Sequence, residues 1–285
     1  MATNHGTATT TNPSSGYALG YTNSEHDRLI RQAARIEPIL ERLFREAGIG
    51  PGQRVLDLGS GVGDVAMLAA RLVGPSGEVV GIERDPCSIA VAKARSAKAG
   101  FRNISFTQTD ASQIVSDKLF DAAIGRFILM FLPDPASVLR SLSRLVRPGG
   151  VLAFQEPSWA PFLTRAETLP LWSGVVSSIH ETFLRSGVNP EMGPDLYRIF
   201  QEIGMPAPAM HMEIPLGSDA DFSRVVCEVL DNLRPLAQQH EVSLDVLGDF
   251  ATLSDRVQAE IVASGTFVSW VPLVGAWVRK PISHC

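Results

Sequence analysis

The sequence predicts an α/β fold in which short buried strands alternate with helices. Three observations carry this. The apolar run Gln53-Arg54-Val55-Leu56 enters a glycine-rich turn, and residues 65–72 leave that turn with helical spacing. Two further short strands, over 77–85 and 103–111, each end in an acid. A helix stop, Arg147-Pro148-Gly149-Gly150, then precedes another apolar run over 151–156.

The turn is the most informative element. Asp57-Leu58-Gly59-Ser60-Gly61-Val62-Gly63-Asp64 places three glycines at alternate positions, with an acid two residues before the first. Glycine has no Cβ and tolerates positive φ, so a ligand can approach such a backbone closely. The dinucleotide-binding fingerprint needs G-x-G-x-x-G, and its third glycine would fall on Asp64. A nicotinamide cofactor is therefore disfavoured. Glu83 ends the second strand, where an acid can accept hydrogen bonds from a ribose diol. Arg84 follows it, and Asp110 and Ala111 close the third strand. The fourth strand begins at Phe120-Asp121 and runs into Arg126 and Phe127.

Taken together over roughly residues 50–157, these motifs resemble class I S-adenosylmethionine (SAM)-dependent methyltransferases. The small-molecule enzymes of the ubiquinone and menaquinone biosynthesis type are the nearest in style. The resemblance implies a Rossmann-like seven-stranded α/β sheet with an antiparallel last strand and helical lid insertions. It implies SAM as cofactor and S-adenosylhomocysteine as product. Asp57, Gly59, Ser60, Gly61 and Gly63 would form the glycine turn of the cofactor site, with Glu83 and Arg84 at the ribose. Asp110 and Ala111 would face the adenine, and Arg126 and Phe127 the methionine moiety. The segment Tyr21–Ala33 carries Tyr-x-x-Ser-Glu-x-x-Arg-Leu-x-x-Gln-Ala. It resembles the N-terminal helix of a bacterial subset of these enzymes, which makes Tyr21 and Gln32 candidate contacts to the methionine moiety.

The flanking regions divide as follows. Residues 1–16 are rich in Thr, Ser, Asn and Gly and read as a disordered tail. Residues 17–48 read as a helical cap, in which Pro38 starts a second helix or kinks the first. Residues 49–157 form the cofactor-binding core. Residues 158–208 break the strand–helix rhythm with an aromatic-bearing insert, read as a lid or substrate unit. Residues 209–285 complete the sheet: a sixth strand over 210–216, helices over about 218–235 and 240–263, and the last strand over 271–280. The extra helices are candidates for the lid or for a homodimer contact.

Methyl transfer from a sulfonium needs positioning and exclusion of water more than acid–base help. An oxygen nucleophile usually wants a base. His180 on the insert and Glu156 at the end of strand five are the candidate catalytic residues, ahead of His211 and Tyr197. Structural roles compete for each of them. Cys87 could line the adenosine end or simply fill space. No metal site is expected, because the acids Asp121 and Asp134 read as strand and helix starts.

Net charge is −5, with no lysine or arginine run, which argues against a nucleic-acid partner. No apolar stretch reaches membrane-spanning length and no signal-peptide layout opens the chain, so a cytoplasmic protein without stable membrane insertion is expected. The aromatic insert favours a small, largely apolar acceptor of quinone, polyketide, prenyl or phenolic type, methylated on carbon or oxygen. A non-methylating SAM-binding cyclase or isomerase and a SAM-binding partner subunit are the alternatives.

Overall fold

The computed structural model describes residues 18–166 and 168–282, so the expected tail over 1–16 lies outside the described residues. Helix α1 (Asn23–Glu46) opens on a Thr22 cap, whose hydroxyl accepts from Glu25 N. It runs unbroken through Pro38, where the sequence suggested a kink or a second helix. Proline frees the carbonyl of the residue four positions back. Here Ala34 and Pro38 both face solvent, so water can satisfy that group.

Beyond α1 the strand–helix alternation holds: β1 (Arg54–Leu58), α2 (Asp64–Val73), β2 (Glu78–Glu83), α3 (Pro86–Lys98), β3 (Ile104–Gln108), β4 (Phe120–Arg126), α4 (Pro135–Leu145) and β5 (Val146–Pro157). Three helices follow, α5 (Ala160–Ala166), α6 (Pro170–Arg185) and α7 (Met192–Glu202). Strand β6 (Ala209–Glu213) leads to the two-residue β7 (Leu216–Gly217). Helices α8 (Ala220–Gln239) and α9 (Leu253–Ser264), the short β8 (Val268–Ser269) and β9 (Leu273–Arg279) complete the chain.

Seven strands form one sheet in the order β3-β2-β1-β4-β5-β9-β6, and β7 with β8 makes a separate ribbon. β1 to β5 pair in parallel, while β9 lies antiparallel between β5 and β6. Parallel strands covered on both faces read as nearly continuous apolar runs, and β4 is buried at all but Asp121 and Arg126. One face packs α1, α2 and α3 against Val55, Ala122, Ile124 and Ala153. The other packs α4 and α7 against Leu56, Phe120, Leu152 and Phe154. Strand order reverses between β1 and β4, and ligands of open α/β sheets bind beyond the carboxyl ends at such a switch point.

Helices α5, α6, α8 and α9 pack on one another above that edge. Two lid helices begin on carboxylates borrowed from elsewhere. Glu191 Oε1 accepts from Trp159 N and Ala160 N at 2.7 and 2.6 Å, ahead of α5. Glu260 of α9 accepts from Leu171 N and Trp172 N at 2.8 and 2.9 Å, in the first turn of α6. Acids at helix N-termini satisfy otherwise orphaned N–H groups.

Several boundaries differ from the sequence reading. The stretch 147–150 is the irregular start of β5 rather than a turn before it. Lys280 N and O bond Gly150 O and Gly149 N there, which draws the segment into the sheet. Strand six ends at Glu213, because Pro215 has no N–H to donate to the ladder. Residues 240–252 form short turns around Gly248 (φ 64°) instead of continuing a helix. Among the described residues, no helix is long and apolar enough to cross a membrane.

At Gly193, α7 approaches the sheet closely. A Cβ there would lie 2.7 Å from Val274 Cβ and 2.8 Å from Pro157 O. Alanine gains up to about 1 kcal/mol of helix propensity over glycine, but overpacking costs about 1–3 kcal/mol. Gly193→Ala should therefore lower stability by about 1 kcal/mol, read as a reduced urea midpoint; a raised midpoint would contradict the close packing.

Candidate functional site

A cavity of about 220 Å³ opens at the β1/β4 switch point, beneath α1 and the lid helices. The glycine turn after β1 forms one wall. Gly59, Gly61 and Gly63 have φ of 66°, 50° and 89°, values that L side chains rarely adopt. The three differ in their surroundings. A Cβ at Gly59 would strike Ile128, and one at Gly63 would press on Ala92 and Phe106. At Gly61 nothing lies within 4 Å. Gly63 thus serves the packing of α2 on α3, whereas Gly61 leaves open space for a ligand.

Glu83 fixes this wall. Its Oε2 accepts from Gly61 N at 3.0 Å, and its Oε1 accepts from Arg84 N and Asp85 N at 2.8 and 3.0 Å. The turns after β1 and β2 are thereby tied together. Oε1 thereby uses both of its lone-pair directions, while Oε2 keeps a second one for a hydroxyl. Arg84 Nε donates to Tyr21 Oη at 2.8 Å, which brings the start of the cap to the same rim. Burial raises the Tyr21 phenol above its ordinary value, so it stays protonated. His26 of α1 meets Ser88 of α3 at 3.1 Å on this side. Ser88 lines the cavity and the neighbouring Cys87 is exposed, so the turn of α3 presents the serine and not the cysteine.

Of the expected cofactor residues, Tyr21, Gln32, Gly59, Ser60, Gly61, Glu83, Arg84, Asp110, Ala111, Arg126 and Phe127 all line this one cavity. Asp57 and Gly63 stand behind it. Asp57 is fully buried, and neither carboxylate oxygen has a hydrogen-bond partner among the described residues. Burial raises its carboxyl well above the ordinary range, with the Arg126 charge opposing. Burial likewise lowers the Arg126 guanidinium, against the attraction of Asp64 and Asp57. Ser60 Oγ is likewise a buried polar atom without a partner among the described residues. Orphaned buried polar groups are costly. Their clustering behind an open glycine turn fits a polar ligand or its bound water. Asp110 Oδ1 accepts from Ser112 N and Oγ, which lowers its carboxyl and keeps it ionised.

The two candidate bases are placed differently. Glu156 is fully buried and does not line the cavity. Its Oε1 accepts from Ile128 N and Leu129 N at 3.0 and 2.9 Å, and Oε2 from Met130 N at 3.4 Å. The carboxylate latches the segment after β4. Within that segment Phe127 holds φ 51°, a strained value for a bulky residue, and donates its N–H to Gln155 O. His180 lies beside Trp159, with ring centroids 6.0 Å apart, outside the cavity wall. Its imidazole is lowered by burial and stays largely neutral near pH 7. Tyr197 is exposed on α7, and His211 sits on β6 with Nδ1 3.3 Å from Glu46; neither lines the cavity.

The cavity has two halves. Its polar side chains come from Tyr21 and α1, the glycine turn, the first turns of α2 and α3, and the ends of β2, β3 and β4. The opposite half is apolar: Trp159, Phe162, Ile179, Phe183, Val226 and Trp270. The last two belong to segments more than 60 residues beyond the core motifs. No local sequence signal marks them, because only the packing of α8 and of the stretch before β9 brings them to the cavity.

Glu156 makes the latch testable. Its carboxyl is pushed up to about 7 by burial, with the three N–H bonds opposing. A raised acid pKa in the fold means that its contribution is complete below the unfolded value near 4.5 and is lost as pH rises through 7. Between pH 5 and pH 8 the wild type should lose roughly 2–3 kcal/mol relative to Glu156→Gln. Urea unfolding of both proteins at both pH values measures this, and parallel pH dependences would show that burial does not raise this carboxyl in the folded protein.

The comparisons agree with this architecture. A family model described as a methyltransferase domain matches residues 49–203. The ubiquinone/menaquinone biosynthesis C-methyltransferase UbiE of Pseudomonas paraeruginosa is 33% identical over 160 residues, which are 52% of this chain and 62% of that relative. The chain therefore aligns with less than two thirds of that relative's length. Among solved structures, a SAM-dependent methyltransferase of Aquifex aeolicus has TM-score 0.50 at 20% identity, covering 66% of this chain and 90% of its own. The cyclase SpnF has TM-score 0.51 at 19% identity, covering 86% and 81%. At such identities these two likenesses speak for the fold alone. With its seven-stranded sheet ending antiparallel, its glycine turn at the switch point and a family match over more than half of its residues, this chain belongs to the class I SAM-dependent methyltransferases.

Proposed function

We propose that this protein transfers a methyl group from SAM to a carbon or oxygen atom of a small, largely apolar metabolite of quinone, polyketide, prenyl or phenolic type. The observation that carries the reading is the division of one cavity into a polar half on the glycine turn and an aromatic half under the lid. When bound, SAM supplies an electrophilic methyl group on a sulfonium whose departure needs no further activation.

The chain's own residues then bind and orient. The Gly59–Ser60–Gly61 backbone admits the cofactor closely, and Glu83 Oε2 offers a free lone pair to a ribose hydroxyl. Asp110 and the backbone of Ala111 stand ready for the adenine edge. Arg126, Phe127 and Gln32 surround the methionine end. Trp159, Phe162, Phe183 and Trp270 exclude water and present flat apolar surfaces to the acceptor. In this reading Glu156 shapes the segment 127–130 rather than taking a proton, and His180 supports Trp159 from outside. The acceptor's position depends on this aromatic wall, so the rate follows the alignment of nucleophile and methyl.

Calorimetric titration with SAM and S-adenosylhomocysteine tests the cofactor half. The wild type should bind both in the micromolar range. Gly61→Arg should bind neither while keeping its circular dichroism, since the side chain enters open space and the backbone strain costs only about 1–2 kcal/mol. Normal binding by that variant would displace the proposed cofactor position. Turnover that yields S-adenosylhomocysteine with phenolic or quinol acceptors supports methyl transfer. Acceptor conversion without S-adenosylhomocysteine formation would favour a cyclase-type activity instead. A folded wild type that binds neither ligand would move a partner-subunit role to the front.

A further inference from the structure

Helix α1 and lid helix α8 meet along a seam with three polar ties. Two are on the rim: Arg31 with Glu228 and Arg35 with Asp219, at 2.7 and 2.6 Å between partly exposed side chains. Such pairs contribute little by themselves. The third is buried and reaches the cavity. Glu25 Oε2 accepts from Arg28 Nε and from Asn232 Nδ2 of α8, both at 2.6 Å, and Glu25 Oε1 accepts from Arg28 Nη2 at 2.7 Å. Arg28 Nη1 donates to Gln32 Oε1 at 2.6 Å. Glu25 and Arg28 are almost wholly buried, and Arg28 and Gln32 line the cavity.

The polarity of this chain of bonds is forced. A guanidinium has donors only, so Gln32 must meet Arg28 with its carbonyl oxygen. Its amide nitrogen, which makes no hydrogen bond to the described residues, is then the end left for the cavity. An ionised carboxylate only accepts, so Asn232 must meet Glu25 with its amide nitrogen. The amide orientations, which are otherwise hard to assign, follow from the guanidinium of Arg28 for Gln32 and from the carboxylate of Glu25 for Asn232.

We propose that Glu25 and Asn232 are positioning residues. They hold Arg28 so that Gln32 presents an N–H donor to the carboxylate of the cofactor's amino-acid portion, and they couple that contact to the docking of α8. This inference rests on the SAM reading above and deepens it. Whatever draws Gln32 toward a bound carboxylate also tightens the seam that holds the lid over the acceptor half. By linkage, a loosened seam weakens the cofactor's amino-acid contact by the same factor.

The experiment compares two ligands. S-adenosylhomocysteine carries the amino-acid portion, and 5′-methylthioadenosine lacks it while keeping the adenosine and the sulfur. Wild type, Gln32→Glu and Asn232→Leu are titrated with each. Gln32→Glu preserves an oxygen for Arg28 and replaces only the donor, so the fold should persist; thermal melting checks this for both variants. Gln32→Glu should weaken S-adenosylhomocysteine by about tenfold or more, the scale of a hydrogen bond to a charged group. Methylthioadenosine affinity should stay within about twofold. Asn232→Leu should show the same split at about threefold, since it acts through Glu25. Equal losses for both ligands, or unchanged S-adenosylhomocysteine affinity in folded variants, would overturn the positioning role and leave the SAM reading standing. A wild type that binds neither ligand would remove both.

Discussion

Two carboxylates at the ends of parallel strands hold open the space on which everything else depends. Glu83, the last residue of β2, gathers the N–H groups of Gly61, Arg84 and Asp85. Glu156, near the end of β5, gathers those of Ile128, Leu129 and Met130. Between these two clamps lie the carboxyl ends of β1 and β4, where the strand order reverses. Loops over such a gap would otherwise leave backbone donors unpaired at the edge of a core. By taking up those donors, the acids let the turns stand apart as rigid walls. A ligand meets a preformed surface, and less ordering opposes binding.

The lid uses the same device. Glu191 and Glu260 satisfy the first N–H groups of α5 and α6, and Glu25 satisfies Arg28 and Asn232 between cap and lid. Each acid ties a helix to a segment distant in sequence. The cavity is thus roofed by helices whose ends are anchored in the core. That arrangement suits chemistry needing a dry, aligned site more than a strong base. The apolar half of the cavity, with Trp159 packed edge-on to Phe183 and tilted against Phe162, is a rigid aromatic surface of the kind that holds flat molecules.

The core was legible because its signals are local. The glycine turn after an apolar strand, the acid closing the second strand and the Arg-Pro-Gly-Gly segment each lie within a few residues. The glycine turn and the acid of the second strand share the carboxyl end of one sheet, so the expected cofactor residues line a common cavity. Glu156 was read as a candidate base from its place at a strand end, which is correct for the backbone. Sequence could not reveal that its carboxylate lies under three amides of the neighbouring loop. His180 illustrates the same limit: helical spacing places it one residue from Ile179, yet only packing puts Ile179 in the cavity wall and His180 outside it. At Pro38 the local rule anticipated a break. Solvent exposure of the freed carbonyl removed the reason for one.

By itself the sequence determined the strand–turn–helix order, the positions that need glycine and the acids at strand ends, since these follow from backbone sterics and from periodicity within a dozen residues. Tertiary structure alone decided which acids face a ligand and which brace a loop. It also brought Val226 and Trp270 to the cavity and joined Glu25 to Asn232 across the seam between cap and lid. The reason is physical. Burial, hydrogen-bond partnership and the polarity of an amide are properties of neighbours in space, and here those neighbours are up to about two hundred residues apart along the chain.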